Sequence, residues 1–251
     1  MRERRPAVLA ELTWPEATTA LADAVVILPV GAIEAHGPHL PLDTDVVIAV
    51  EMARRTAERL SATQPVVLLP PLSYGVSYVG TCFAGTTPAP PTALSQTVSE
   101  ILVTLLDHGA AAALITNAHL EPAHYAALTE AAERAAGMTQ KPVALPDLRE
   151  ARWAARLSDE FQAGMRHAGA YETSLVLAAR PESVRQDMLP HLAPVRIDLP
   201  AALRAGARTF ADAGGDLGYF GDPATATAEE GERLFTVLAQ IAVEALEEAE
   251  L

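Results

Sequence analysis

The sequence predicts an α/β protein built on a parallel sheet with helices on both faces. Three observations predict it. Short apolar runs alternate with longer amphipathic segments through roughly the first 150 residues. The runs lack the polar alternation of a half-solvated sheet, as buried parallel strands do. Turn and cap residues punctuate almost every junction.

The elements follow in order. Residues 25–30, VVILPV, form an apolar run closed by Gly31 and read as a buried strand. Residues 46–60 read as a helix, with Asp43 or Thr44 placed to cap it. A second strand is expected over 66–69, closed by Pro70 and Pro71. Leu94, Val98, Ile101, Leu102, Leu105 and Leu106 share one face of a helix over 92–108, and Gly109 ends it. Residues 111–115 give a third strand. Pro122 opens a helix to Gly137, since proline is tolerated in a first turn. A fourth strand is expected at 143–145, helices at 151–161 and 173–179, and a long amphipathic helix over 229–250. No linker or repeat divides the chain, so one domain over 1–251 is expected.

Composition narrows the function. The chain has 251 residues, half of them hydrophobic and a fifth charged, enough to bury a sizeable core. Its net charge of −14 repels phosphate backbones, which argues against a nucleic-acid partner. No apolar run reaches the ~18 residues of a membrane span, and the basic start is too short for a secretory signal. Cys82 is the only cysteine, so no internal disulfide forms, and a cytoplasmic location is expected. Cys82 itself reads as a small buried residue.

In open α/β sheets, sites form beyond the carboxyl ends of the strands. Two such ends are rich in ligand-type side chains. Glu34 and His36 follow the first strand; His119 and Glu121 follow the third. Each pair is spaced i, i+2, which puts both side chains on one side of an extended segment. Asp45 lies eleven residues past Glu34, where a carboxylate can bridge two ions. Two His and three carboxylates suit zinc or manganese, with iron(II) also admissible. A histidine after a strand can equally be a hydrogen-bonded structural residue, and spacing alone leaves both readings open.

Longer motifs carry a resemblance. The segment LPVGAIEAHGPHLPLDTD, 28–45, resembles the creatininase family signature, L-P-x-G-x-x-E-x-H-G-P-H-L-P-L-x-T-D. TNAHLEP at 116–122 is similar to that family's N-x-H-x-E segment, and HAGAYETS at 167–174 to its H-A-x-x-x-E-T-S segment. YGVS at 74–77 with FAGT at 83–86, and GDPATATAEEG at 221–231, resemble further family elements, in family order. The resemblance implies a three-layer α/β/α sandwich with a mostly parallel central sheet. It implies a metal-dependent amidohydrolase that cleaves a cyclic or linear amide of a small molecule with a metal-activated water. Deformylation, trimming of short peptide ends, and metal or ligand binding without turnover are the alternatives. It also implies two divalent ions, zinc or manganese with Fe2+ admissible. Glu34, Asp45 and His119 would hold one; His36, Asp45 and Glu121 the other. His167 and Glu172 would move protons, His167 towards the leaving nitrogen. A homo-oligomer, a hexamer by family habit, is implied as well.

Several residues keep two readings. Ser77 either reaches substrate or is a turn serine. His39 is either a donor to a ligand carboxylate or a buried structural histidine, and His124 reads as structural. Asn117 is suited to hold its loop by side-chain-to-backbone bonds. The sequence also departs from the creatinine-cleaving branch. Leu120 stands where those members carry an aromatic, and GlyMetArg, 164–166, where a Trp-Asp pair precedes the histidine. Leu120 and Trp153 are then the candidates for contacts to a substrate other than creatinine.

Overall fold

The structure, a computed structural model, describes residues 5–249. Five strands form one parallel sheet: β1 Ala7–Val8, β2 Val25–Val30, β3 Val66–Leu68, β4 Ala112–Asn117 and β5 Val143–Ala144, in the order β1-β3-β2-β4-β5. The central pair runs in register from Val25 opposite Ala112 to Val30 opposite Asn117. All residues of β2 and β4 are buried, because helices cover both faces.

Alternation along β2 assigns the layers. Val26, Leu28 and Val30 face one core with Ala113 and Ile115 of β4; Val25 and Ile27 face the other with Ala112 and Leu114. The first core is closed by α1 (Trp14–Leu21), α3 (Pro91–Asp107) and α4 (Pro122–Thr139), through Leu21, Leu102, Leu106 and Leu128. The second is closed by α2 (Thr44–Leu60) and by α9 (Ala228–Ala249), through Ala53, Ala57, Ala242 and Leu246. Between α4 and α9 lie three short helices, α5 (Ala151–Ala154), α6 (Asp159–Gln162) and α8 (Leu199–Arg204), and the longer α7 (Ala170–Ala179). Helix α7 packs on α2 and α9 around Met52, Leu175, Val176, Phe235 and Leu238. The result is the three-layer α/β/α sandwich.

The differences from the sequence expectations are local. Strand β4 runs two residues beyond 115, because Thr116 and Asn117 keep pairing with Pro29 and Val30. The helix expected over 151–161 is two helices, since the Ser158 hydroxyl caps a new one by accepting the Phe161 N–H at 3.2 Å. Gly137 does not stop α4; Gln140 does, in the left-handed region at φ 56°. The short β1, α1 and α8 were not expected. A signal for α1 was present, as the Glu16 carboxylate accepts the Thr13 N–H at 2.8 Å. Glu250, the expected end of the last helix, and basic residues 1–4 lie outside the described residues. No helix among the described residues is long and apolar enough to cross a membrane.

Candidate metal centre

The carboxyl ends of β2 and β4, with the first turns of α2 and α7, converge on one buried cluster. Gly31 ends β2 where α2 begins; a Cβ there would lie 2.6 Å from the Val46 nitrogen and 2.9 Å from the Asp45 carbonyl carbon. That closeness brings Asp45, in the first turn of α2, beside Glu34. Glu172 enters from the first turn of α7. Both helix starts favour a carboxylate there.

Two groups of potential ligands share Asp45. Glu34, Asp45 and His119 form one, and His36, Asp45 and Glu172 the other. His119 Nδ1 lies 3.0 Å from Asp45 Oδ2 and 3.4 Å from Glu34 Oε2. His36 Nε2 lies 3.3 Å from Asp45 Oδ1 and 3.7 Å from Glu172 Oε2. A third grouping joins Glu34, His36 and His167.

The imidazoles are oriented by the main chain. Nδ1 of His36 donates to the Glu34 carbonyl at 3.0 Å, Nε2 of His119 to Val76 at 2.7 Å, and Nε2 of His167 to Ala35 at 2.9 Å. In each ring the other nitrogen thereby faces the carboxylates, and it offers a lone pair to a cation once it carries no proton. Three buried atoms of the cluster, Glu34 Oε2, His36 Nε2 and Asp45 Oδ2, have no hydrogen-bond partner. Buried polar atoms are normally satisfied, so a converging set of orphans fits a cation.

Electrostatics agree. Burial alone would discharge the group, but the charges sustain each other. Burial opposes the His36 imidazolium, yet Asp45 and Glu172 raise its pKa to about 10. His119 is likewise held well above its ordinary value by Glu34 and Asp45 against burial. Burial opposes the Glu34 carboxylate too, and the His119 charge brings it down to about 2. Glu172 goes the other way: burial pushes it up to about 8 despite His36.

Supporting contacts surround the cluster. The Ser77 hydroxyl donates to Glu34 Oε1 at 2.7 Å and is fully buried. Its place is therefore behind the Glu34 carboxylate. Asn117 Oδ1 accepts the His119 N–H at 3.1 Å and its Nδ2 donates to the His119 carbonyl at 2.8 Å, fixing that loop. His124 accepts the Val76 N–H on Nδ1, so its Nε2 carries the hydrogen and donates to Asn117 at 3.0 Å. Burial holds it well below its ordinary pKa, a neutral structural ring. His39 is buried and bonds Thr173 at 3.0 Å through Nε2.

Glu121 stands apart from the ligand groups. Its Oε2 accepts the Val79 N–H at 3.1 Å, and its side chain lines a cavity of about 520 Å3 that opens onto Glu34, Asp45, His119, His167 and Glu172. Glu121, the N-cap residue of α4, is not in the groups whose ligand atoms lie within 4.8 Å of one another, whereas Glu172, from the first turn of α7, lies in one with His36 and Asp45. Leu120 lines the cavity, as do Phe210 and three residues that sequence reasoning passed over, Arg149, Arg166 and Arg204. Trp153 does not; it is buried in the core cluster that also holds Leu157 and Phe161 and is flanked by Arg152 and Arg156. Cys82 is exposed rather than buried, since it sits in a loop over 79–85 outside both cores.

The chain matches the family described as Creatininase: Creatinine amidohydrolase over residues 10–246. It belongs to the creatininase family. It is 35% identical to the mycofactocin precursor peptide peptidase of Mycobacterium ulcerans, over 92% of this chain and 88% of that one. It is 32% identical to the creatinine amidohydrolase of Pseudomonas putida, over 95% of each chain. Among solved structures, one of creatinine amidohydrolase (creatininase) superposes with a TM-score of 0.75 at 27% identity, covering 98% of both chains. A creatininase structure with Mn gives 0.76 at 27% identity, covering 98% of this chain and 99% of that one. This creatininase-family chain is a metal-dependent hydrolase of carbon–nitrogen bonds, and it has a buried His and carboxylate cluster capable of holding metal.

Proposed function

We propose that the chain is a dinuclear amidohydrolase whose substrate is a linear amide or short peptide. One observation carries the metal centre: three imidazoles, each tied by one nitrogen to a main-chain carbonyl, present the other to carboxylates, and Glu34 Oε2, Asp45 Oδ2 and His36 Nε2 are buried there without a hydrogen-bond partner. Glu34, Asp45 and His119 would hold one divalent ion, and His36, Asp45 and Glu172 the second, with Asp45 shared. Bound there, zinc or manganese supplies a Lewis acid and lowers the pKa of water.

The chain's own residues handle the protons. Glu121 accepts the Val79 N–H on Oε2 and lines the cavity. Burial raises its pKa, which suits a group that takes a proton from the attacking water at Oε1 and returns it to the departing nitrogen. His167 is less suited to donate, because burial and the His36 charge hold its pKa near 4. A neutral His167 instead offers Nδ1 as an acceptor, and it is braced by Phe210, whose ring centre lies 4.1 Å away. On this proposal Glu121 carries the proton transfer that the motif resemblance implies for His167 and Glu172, and Glu172 the metal contact that it implies for Glu121.

The substrate class rests on the cavity. Leu120, Leu203 and Phe210 give it apolar walls with an open mouth, and no Trp-Asp pair precedes His167 to clamp a flat ring. Four mycofactocin precursor peptide peptidases among the similar chains support a peptide over creatinine. The test is metal content by elemental analysis together with a panel of dipeptides, formamides, linear amides and creatinine. Two ions per chain with peptide or linear-amide turnover is expected; creatinine turnover at ~10 s⁻¹ or more would move the substrate class.

The same reading keeps a homo-oligomer, supported by Tyr74 and Tyr78, which are 60% and 46% exposed on the loop following β3. Light scattering at micromolar concentration checks it, the 26.5 kDa monomer mass being the contrary result. A cytoplasmic location is proposed on the single cysteine.

A further inference from the structure

The cavity wall carries cations that the hydrolytic steps do not use. Arg149, Arg166 and Arg204 all line it, in a chain whose net charge is −14. Three guanidiniums at one opening are a local reversal of sign. Arg149 is neutralised, since Asp147 accepts its Nε and Nη2 at 2.8 and 2.6 Å.

Arg166 is not neutralised. Its Nε donates to the Phe161 carbonyl at 2.9 Å and its guanidinium carbon lies 4.5 Å from the Phe161 ring centre. Those contacts hold the group still. Among the described residues no carboxylate pairs with it, and both Nη atoms are uncommitted. Asp198, whose charge reaches Arg166, spends its Oδ1 capping α8 through the Ala201 N–H at 2.9 Å. Arg204, at the end of α8, is exposed and also lacks an acidic partner among the described residues.

The two arginines are carried by one packed unit. The Leu199 N–H donates to the Gly164 carbonyl at 3.2 Å, tying α8 to the segment that bears Arg166. Gly164, at φ +87°, lies so close that a Cβ there would sit 2.5 Å from Asp198 Oδ1. A half-buried cation without a counter-ion is costly, and a fixed planar fork with free Nη atoms is the geometry that receives a carboxylate.

We propose that this wall binds a carboxylate of the substrate, so that the enzyme selects linear amides whose apolar body ends in an anionic group. Arg166 is the anchor and Arg204 closes on the same group from the solvent side. The apolar surface of Leu120, Leu203 and Phe210 takes the body between that anchor and the scissile amide. The inference rests on the amidohydrolase reading for its reaction but not for its binding. The carboxylate is either a chain terminus or an acidic side chain, and the two sources share this chemistry.

The experiment uses matched ligands on the metal-loaded protein. Peptides with one scissile bond are compared as free acid, as C-terminal carboxamide, and as carboxamide bearing a glutamate side chain. The acid forms should exceed the neutral carboxamide in kcat/KM by on the order of 10- to 100-fold, mainly through KM, as for a charged hydrogen-bonded pair. The better of the two acid arms names the source. In Arg166→Gln that ratio should collapse towards one, and Arg166→Lys should restore part of it. In parallel, calorimetry measures N-acetyl-leucine against N-acetyl-leucinamide binding to wild type and to Arg166→Gln. Turnover without acid preference, or a preference that survives in both Arg166→Gln and Arg204→Gln, overturns the inference and leaves the hydrolase standing. Arg166-dependent acid binding without turnover of any amide upholds the anion site and removes the hydrolase reading. Equal binding of acid and amide to wild type overturns it whatever the turnover.

Discussion

The Ser77 hydroxyl donates to Glu34 Oε1 at 2.7 Å, leaving Oε2 of the same carboxylate as an unpartnered atom facing His119. The bond selects which oxygen is offered to a cation. Outer contacts of this kind typically change metal affinity by ~10- to 100-fold. Ser77→Ala should therefore weaken metal binding by about that factor while the fold persists. Competition with a chelator of known affinity measures it, and an unchanged affinity would make Ser77 a turn residue only.

Glu121 and Glu172 separate cleanly on the proposed roles. Glu172→Gln removes a charged ligand from the group with His36 and Asp45, so the metal content should fall towards one ion per chain. Glu121→Gln should keep both ions and lose ~10²–10⁴ in turnover, the usual share of proton transfer. The two variants are read by elemental analysis beside steady-state rates. Metal loss in Glu121→Gln with retention in Glu172→Gln would restore the ligand set first expected from the motifs.

Metal binding should release protons. In the metal-free protein the His36 pKa, opposed by burial but raised chiefly by Asp45, stands at about 10, and that of His119 is also far above its ordinary value. Burial puts Glu172 at about 8. At pH 7 these three groups hold protons that a cation must displace. About three protons should leave, one each from His36, His119 and Glu172. The sign follows: affinity should rise with pH and fall on acidification, because protons compete for the same lone pairs. Calorimetric titration in buffers of differing ionisation enthalpy measures the number. Zero release would mean that the ions bind elsewhere.

The sequence made the fold legible where chemistry was local and repetitive. The buried runs of β2 and β4, and the helical stripe of α3, follow directly from spacing. Of the site, Glu34, His36, Asp45 and His119 were legible because they lie on motifs at strand ends, and the structure gathers all four. The nearness of Glu172 to His36 and Asp45 was not, since it depends on how α7 packs against α2, around Leu175 and Phe235. The arginine wall was hidden for the same reason. Arg166 and Arg204 are 38 positions apart in sequence (204 minus 166) and meet only through the contact of Gly164 with α8. Trp153 is a candidate for substrate because Leu120 stands where an aromatic is expected, whereas its place is a core cluster that also holds Leu157 and Phe161.

Gly31 gives the most direct test of how backbone packing builds the centre. It ends β2 and touches the start of α2, with its own N–H donating to the Leu72 carbonyl at 2.9 Å. A methyl group there would lie 2.6 Å from the Val46 nitrogen, and the obstacle is helix backbone rather than a movable side chain tip. Relief requires α2 to retreat from β2. Asp45 sits on the first turn of α2 and Glu34 three residues beyond Gly31, so retreat separates the shared carboxylate from its neighbours. Overpacking of this kind typically costs ~1–3 kcal/mol in stability. Gly31→Ala should show that loss in urea denaturation of the metal-free protein, together with weakened binding of both ions rather than one. Gly137→Ala is the control, since a Cβ at Gly137 meets nothing within 4 Å and should leave metal content intact. Full metal occupancy at unchanged affinity in Gly31→Ala would show that the approach of α2 to β2 does not set the geometry of the centre.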